Sequence, residues 1–593
     1  MLFLFQLRWL WSNLKGSRRN YILALFLSVF CNILYITSPY FQSRIIDTYI
    51  SNENAIANLT NDKKGLLLLI AGMIGFTLMR TVFQYTCNMY YEKASQGMIY
   101  KIRTHLFRKI ENQDMEFYDT YRTGDLMTRL TGDLDMVRHM VSWVIKGVVE
   151  SMALFTASMV YFFTIDWRTA LCILALTPAI FVITRLFSRK ARPVYQNVRD
   201  KQSALNTAAQ ENISGNRVVK AFAREEYEIK KFKEKDEEYK KANIFAANVW
   251  LKYQPFIDFI AGGLSVVLLL FGGIFMIKQH LTMGQYVAIS GLLWAVSNPM
   301  RNMGNYINDF HRFLASAGKV IEIYHSAPMI VDRSEAKDTE ARLNGEVEFK
   351  NVSFSIDGKQ ILDNISFHIN SGETVAIMGA TGSGKTSLIN LIPRFFDVSS
   401  GEVLVDGVNV RMYKLRTLRK NISIATQDVL LYSDTIDSNI AFGNSNLEED
   451  YVKYCAELAA ADQFINSLTM GYETIVGERG VGLSGGQKQR ISLARAIAVK
   501  PSVLILDDTT SAVDMETEAY IQNSLKNRLD FPCTKIIIAQ RISAAKDADK
   551  IIILENGRIT DIGTHNELIS HDGYYKQIYD LQNGSQAKER GEE

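Results

Sequence analysis

Six apolar stretches, near residues 20–45, 64–90, 140–165, 168–188, 250–278 and 283–306, crowd the first half of this 593-residue chain. Each is long enough to cross a hydrocarbon layer of roughly 30 Å, which takes about 20 helical residues. In lipid every backbone polar group must be bonded within the protein, so stretches of this kind fold as helices. Residues 340–580 carry the pattern of a soluble domain, a division that the overall hydrophobic content of 47% conceals. No A-x-A-like cleavage site follows the opening MLFLFQLRWLWSNLKGSRR. Trp9 and Trp11 beside Arg8, Lys15, Arg18 and Arg19 suit a helix lying in the membrane interface over residues 1–19.

Charge placement orients the spans. Lys and Arg cluster before the first stretch and in 91–138 and 189–249, which puts those segments and both termini in the cytoplasm. The short connections 46–63, Asp166-Trp167 and 278–283 then lie outside. In a bacterial chain the sequon Asn58-Leu59-Thr60 marks such an outside loop. A net charge of +3 is too small to argue for nucleic acid, and the five cysteines lack the spacing of a disulfide or zinc framework. The two long cytoplasmic connections keep helical periodicity, so the spans should run on well past the membrane and reverse near Tyr118–Gly124 and Glu211–Gly215. The resulting division is a membrane domain over 20–311, a charged connector 312–342, an α/β domain over 343–583 and a disordered tail 584–593.

Within the α/β part, strand-like runs recur at 374–378, 421–426, 503–507, 535–540 and 550–555. Gly379-Ala380-Thr381-Gly382-Ser383-Gly384-Lys385-Thr386 follows the first run and opens a helix. The glycines allow backbone N–H groups to wrap phosphates, Lys385 reaches the β and γ oxygens, and Thr386 is placed to ligate Mg²⁺. The buried run Val503–Leu506 ends in Asp507 and Asp508, one carboxylate for the metal and one for the attacking water. Leu483-Ser484-Gly485-Gly486-Gln487 stands at the start of an amphipathic helix, a second anion-facing surface.

The phosphate loop, Gln427, GERGVGLSGGQKQR, the aspartate pair and Ser511-Ala512-Val513-Asp514 resemble the nucleotide-binding domain of an ATP-binding cassette transporter. The six spans, with EFYDTYRTGDLMTRLTGDLD and ENISGNRVVKAFAREE in the cytoplasmic connections, resemble the exporter-type membrane domain of the same family. The fold implied is a multi-domain membrane protein, six transmembrane helices with long cytoplasmic extensions followed by an α/β P-loop domain. The resemblance further implies ATP and Mg²⁺ as cofactors, with Thr386, Gln427 and Asp507 around the metal. Gln427 would sense the γ-phosphate, Ser511–Asp514 would form a dimer-contact loop, and Val476–Gly480 would touch a membrane-domain loop. Ser484–Gln487 would close on ATP held by an opposite subunit.

Three positions depart from the family pattern. Asp508 stands where glutamate is usual, Gln540 where histidine is usual, and Ile356 where an aromatic residue stacks on adenine. Losing one methylene retracts the carboxylate by about 1.5 Å, and about 1 Å of misplacement can cost on the order of 10² in rate. Gln540 binds phosphate but cannot take up positive charge. Phe354 and Tyr432 are the other aromatic residues to consider for adenine.

With an intact Ser484–Gln487, the chain reads as one half of a heterodimeric exporter in the plasma membrane. It would move an amphipathic substrate, drug-like, lipid or peptide, with multidrug export the commonest reading of the family, in contact with membrane lipids and a second half-transporter. The alternatives are a homodimeric lipid exporter and a non-hydrolysing regulatory subunit. In the spans, Arg80, Lys146, Glu150 and Asp258 are candidates for substrate contact or for internal pairing. Seven aromatic residues (Phe83, Tyr85, Trp143, Phe155, Trp250, Phe256 and Trp294) could line an amphipathic pocket, or face lipid or pack.

Overall fold

A computed structural model describes residues 2–51, 62–356, 358–477, 480, 482–510 and 512–589. The sequon Asn58-Leu59-Thr60 lies outside the described residues, as do Glu478, Arg479 and Ser511. The chain divides into two compact units, one of residues 1–112 and 121–326, the other of residues 113–120 and 327–593.

The first unit is helical. After α1 (Leu2–Asn13) come six long helical segments. The first is α2 (Arg18–Leu34) with α3 (Thr37–Tyr49), followed by α4 (Lys63–Glu111). After the short α5 (Met115–Thr120), which belongs to the second unit, comes α6 (Thr123–Ile165). Next are α7 (Trp167–Ser214), the short α8 (Asn216–Ala221), α9 (Glu225–Ile277) and α10 (Met283–His325). Four of them, Arg18–Tyr49, α4, α6 and α9, are long and apolar enough to cross a membrane by length and composition. α7 and α10 are comparably long but hold no stretch that apolar among the described residues.

At 1.5 Å per residue, the 49 residues of α4 span roughly 70 Å, far more than a bilayer core. The reversals are built differently from the tight turns expected. One contains the whole of α5, and the other breaks at Gly215 and passes through α8 before α9 begins. On α1, Trp9 is buried edge-on against Tyr324, ring centroids 5.5 Å apart, while Leu4, Phe5 and Trp11 are exposed. α6 contains two widened turns, at Arg129–Asp133 and Met140–Val144. A single residue, Asp166, joins α6 to α7, and its Oδ2 caps α7 by accepting from the Thr169 N–H (2.9 Å) and hydroxyl (2.5 Å). Asp47 on α3 likewise accepts from the Thr282 hydroxyl and the Gly284 N–H, both at 2.8 Å. A Cβ at Gly284 would lie 2.2 Å from the Ser43 carbonyl oxygen, so only glycine allows this approach.

The second unit has two sheets. The antiparallel one runs β2 (Lys359–Ile369), β1 (Val347–Ile356), β4 (Ser400–Val405), β5 (Val408–Asn409). The other has the order β10-β9-β3-β8-β7-β6, parallel except for β10 at its edge. Its strands are β3 (Thr374–Met378), β6 (Ile422–Ala425), β7 (Val503–Asp507), β8 (Thr534–Ile538), β9 (Lys550–Glu555) and β10 (Arg558–Gly563). All five residues of β7 are buried, as a parallel strand covered on both faces requires. The adjacent carboxyl ends of β3, β8 and β7 deliver the phosphate loop, Gln540 and Asp507-Asp508 to one edge, where open α/β sheets bind ligands. The last helix, Tyr574–Glu589, continues through 584–589, where composition had pointed to a disordered tail. The Gln, Ala, Lys and Glu there are good helix formers.

Candidate functional site

The phosphate loop is shaped by its glycines. Gly379 has φ 154°, and a Cβ there would fall 2.0 Å from the Leu554 carbonyl oxygen on β9. Gly382 (φ 83°) and Gly384 (φ 103°) take left-handed conformations that turn the chain into α11 (Lys385–Asn390). Lys385 is only 9% exposed, and its ammonium donates to the carbonyls of Gly379 and Ala380, both at 2.8 Å. Burial lowers its pKa, while Asp507 and then Asp508 pull it back up. Ser383 Oγ is buried without a hydrogen-bond partner, an acceptor or donor kept for a group from outside the chain.

Thr386 Oγ1 donates to Asp507 Oδ2 at 3.3 Å, which brings a hydroxyl and a carboxylate together as hard oxygen ligands. Asp507 is 6% exposed, and its burial pushes the carboxyl above its usual range. The Thr386 hydroxyl and Lys385 oppose that shift, and Asp508 adds to it. Among the described residues no three His, Cys, Asp or Glu side chains form a metal cage of their own. One carboxylate beside one hydroxyl is a donor set that fits Mg²⁺ held jointly with phosphate oxygens, the usual habit of that ion.

Asp508 sits in the left-handed region at φ 50°, which aspartate tolerates better than most residues. Its Oδ2 accepts from Gln540 Nε2 at 3.0 Å, so the two departures in the γ-phosphate region are bonded to each other. The Asp508 carbonyl accepts from Gln489 Nε2 at 3.5 Å, and Gln489 Oε1 accepts from the Ala512 N–H at 3.2 Å. Gln489 lies within the GERGVGLSGGQKQR stretch but had no role of its own in the sequence reading; it falls on the buried face of the helix that follows the Ser484–Gln487 motif.

That helix, α16 in the chain-order count that runs through α12 (Leu415–Asn421), α13 (Ile436–Ile440), α14 (Glu449–Leu458) and α15 (Asp462–Ser467), spans Gly485–Ala498. Ser484 Oγ accepts from the Gln487 N–H (3.3 Å) while Gln487 Oε1 accepts from the Ser484 N–H (2.8 Å), a complete capping box. Leu483 is half-buried, whereas Ser484 and Gly485 are exposed. Gly486 lies so close to the next loop that a Cβ would be 2.7 Å from the Ala512 carbonyl oxygen. Asp514 Oδ2 accepts from the Thr517 N–H at 3.0 Å and so starts the helix α17 (Met515–Asn527).

Gln427 is exposed beyond β6. The chain after it is gripped by Arg495, which donates to the carbonyls of Leu430 (2.9 Å) and Asn439 (2.7 Å) and lies beneath the stacked rings of Tyr432 and Phe442. The two aromatic alternatives for adenine differ in access, Tyr432 being exposed and Phe354 buried. Phe354 is 3% exposed against Phe396, and Tyr432 is stacked on Phe442. Ile356 is half-buried at the end of β1.

In the helical unit the charged candidates find internal partners. Lys146 Nζ donates to Asn88 Oδ1 (2.6 Å) and stands 3.9 Å from Glu150 Oε1. Asp258 pairs with Arg301, and the Arg80 guanidinium lies 4.5 Å from the Tyr35 ring centroid. An apolar cavity of about 1030 Å³ opens between α2, α3, α4 and α6, lined by Ile33, Tyr40, Phe41, Phe76 and Met152 among others. None of the seven aromatic residues singled out by sequence lines it.

A strand–loop–helix phosphate cradle beside paired carboxylates, joined to a unit of long apolar helices, defines a membrane-bound P-loop ATPase. The ABC transporter transmembrane region matches residues 21–300 and the ABC transporter domain matches residues 362–511. The chain is 39% identical over 507 residues to the uncharacterized ABC transporter ATP-binding protein YknU of Bacillus subtilis, covering 85% of this chain and 86% of that one. It is 35% identical to an ATP-dependent lipid A-core flippase of Syntrophus aciditrophicus (82% and 81% covered). To the putative multidrug export protein YgaD of B. subtilis it is 32% identical (92% and 94% covered). The structure of a bacterial Atm1-family ABC exporter with ATP bound shares the fold at a TM-score of 0.80 and 24% identity, covering 95% of this chain and 99% of that one. The chain belongs to the ABC transporter family. It is an exporter with a transmembrane unit followed by a nucleotide-binding domain, and it couples ATP hydrolysis to transport.

Proposed function

We propose that this chain is one half of a heterodimeric exporter, with a membrane domain over 20–311 and a cassette over 343–583. In this reading its own nucleotide site binds Mg-ATP and hydrolyses it weakly. Gly379–Thr386 would take the phosphates, with Lys385 exchanging its two carbonyl partners for β and γ oxygens. Thr386, Asp507 and Gln427 would surround Mg²⁺, which neutralises the charge that develops on the phosphates. Asp508 would orient the attacking water poorly, being short and already bonded to Gln540. Ser484–Gln487 and Ala512–Asp514 would serve the partner's site.

The observation that carries the reading is the 3.0 Å bond from Gln540 to Asp508, which ties up the groups closest to the reaction while the capping box of the signature stays complete. The decisive experiment compares the chain purified alone with the chain co-expressed with the half-transporter expected from the adjacent reading frame. Weak ATP turnover alone and strong turnover together is the expected result; strong turnover by a homodimer overturns it.

A second reading, a homodimeric lipid exporter, is favoured by the 1030 Å³ cavity, which is almost wholly apolar, and by a relative named as a lipid A-core flippase. Lipid-stimulated ATPase activity in the chain alone would select it. In either case the substrate is amphipathic, and both termini lie on the cytoplasmic side.

A further inference from the structure

Glu518, on the first turns of α17, is 2% exposed yet carries a carboxylate, and it lies outside the phosphate-binding loop. Its Oε1 accepts from the Thr510 hydroxyl at 2.9 Å. Its Oε2 accepts from the Ser543 hydroxyl at 3.3 Å and stands 3.9 Å from Arg541 Nη1. Thr510 lies two residues after Asp508, and Arg541 directly follows Gln540, which donates to Asp508. These bonds and the two peptide segments close a ring: Asp508, Thr510, Glu518, Arg541, Gln540 and back to Asp508.

We propose that Glu518 is a positioning residue. From behind the sheet edge it holds the 508–510 and 540–543 segments at a fixed separation, and so sets where the Asp508 carboxylate meets the attacking water. A buried carboxylate is costly unless hydrogen-bonded and paired, so it persists where its geometry is needed. Other bonds to α17 flank this one. Asp514 fixes the far end of the loop, and Gln522 reaches the Ser543 carbonyl at 3.5 Å, one helical turn further on. Gln489 on the Asp508 carbonyl and Gln582 on the Ile542 N–H still anchor the two segments separately, but losing Glu518 removes the side chain that bonds to both, and a shift of about 1 Å at the carboxylate costs on the order of 10² in rate. The phosphate loop is untouched, so ATP affinity stays as it was.

The inference rests on Asp508 acting on the water, but not on the heterodimer. The test uses the full chain in lipid nanodiscs, with its partner present if the two co-purify. Single-turnover cleavage of radiolabelled ATP and ATP affinity are measured for wild type, Glu518→Ala, Glu518→Gln, Asp508→Ala and the Asp508→Ala/Glu518→Ala pair. Glu518→Ala should slow cleavage roughly 10- to 100-fold with affinity changed less than about twofold. Glu518→Gln, which can still bond both hydroxyls, should keep more than half the loss at bay. In the Asp508→Ala background, Glu518→Ala should add nothing, because residues acting as a unit are not additive.

Full additivity, or weakened ATP binding with unchanged cleavage, overturns the proposal. Should Glu518→Ala not fold, Glu518→Gln in both backgrounds decides the matter through its smaller loss. Vigorous wild-type cleavage would refute the weak-site reading and leave Glu518's role intact, whereas an additive pair would do the reverse.

Discussion

Lengthening Asp508 tests the chemistry of the site most directly. Asp508→Glu adds one methylene and advances the carboxylate by about 1.5 Å. If misplacement of about 1 Å costs on the order of 10² in rate, restoring the reach should raise cleavage at this site by roughly 10- to 100-fold. Two structural facts temper the gain. The residue sits at φ 50°, where glutamate lacks aspartate's local tolerance and loses about 1 kcal/mol. The 3.0 Å bond from Gln540 must also be remade to a longer side chain. Adding Gln540→His relieves the second restraint, so the double variant should exceed the single. The assay is single-turnover phosphate release from the full chain in nanodiscs, with ATP affinity measured in parallel. If Asp508→Glu binds ATP as tightly as wild type and cleaves it at the wild-type rate, the geometric argument fails.

Three further outcomes follow from the same geometry. Asp507→Asn should raise the unfolding temperature of the nucleotide-free chain at neutral pH while removing the tightening of ATP binding by Mg²⁺. Because burial raises the folded-state pKa of Asp507, its ionisation costs stability as pH climbs through that value, and the variant's advantage should vanish below the unfolded carboxyl's pKa of about 3.9. Differential scanning fluorimetry from about pH 4 to 8 reads this out. Gly486→Ala drives a methyl against the Ala512 carbonyl, so ATPase activity of the assembled transporter should fall at least tenfold while nucleotide binding at the chain's own phosphate loop holds. Lys385→Ala removes the cation that spans the phosphate loop and should weaken ATP binding by more than tenfold, measured by fluorescent-nucleotide titration.

Much of this site is legible in the sequence because its signals are local. The phosphate loop is a contiguous strand–glycine–helix run, and the two carboxylates end a contiguous buried strand. The apolar stretches are equally local, and four of the six expected reappear in helices with spans of that character. What the sequence hides depends on distant pairing. Gln489 matters because α16 packs it between Asp508 and Ala512, and Glu518 because Thr510 and Ser543 converge on it. Neither relation leaves a periodicity or spacing to notice. The strands β4, β5 and β10 stay hidden for a related reason, being short edge or second-sheet strands whose register is set by partners far along the chain. The cavity in the helical unit is likewise lined from four helices, and the seven aromatic residues that looked eligible are not among its lining.

The lone residue between α6 and α7 bears on how the membrane half is made. With Asp166 alone at the bend, and its carboxylate already engaged at the N-terminus of α7, there is no slack for one helix to enter the bilayer while the other waits. The expected outcome is that the two insert as a single hairpin, checked by the topology of reporter fusions on either side of Asp166. Extra glycines placed after Ile165 would break that obligation, giving the cell's insertion machinery two independent decisions where it now has one.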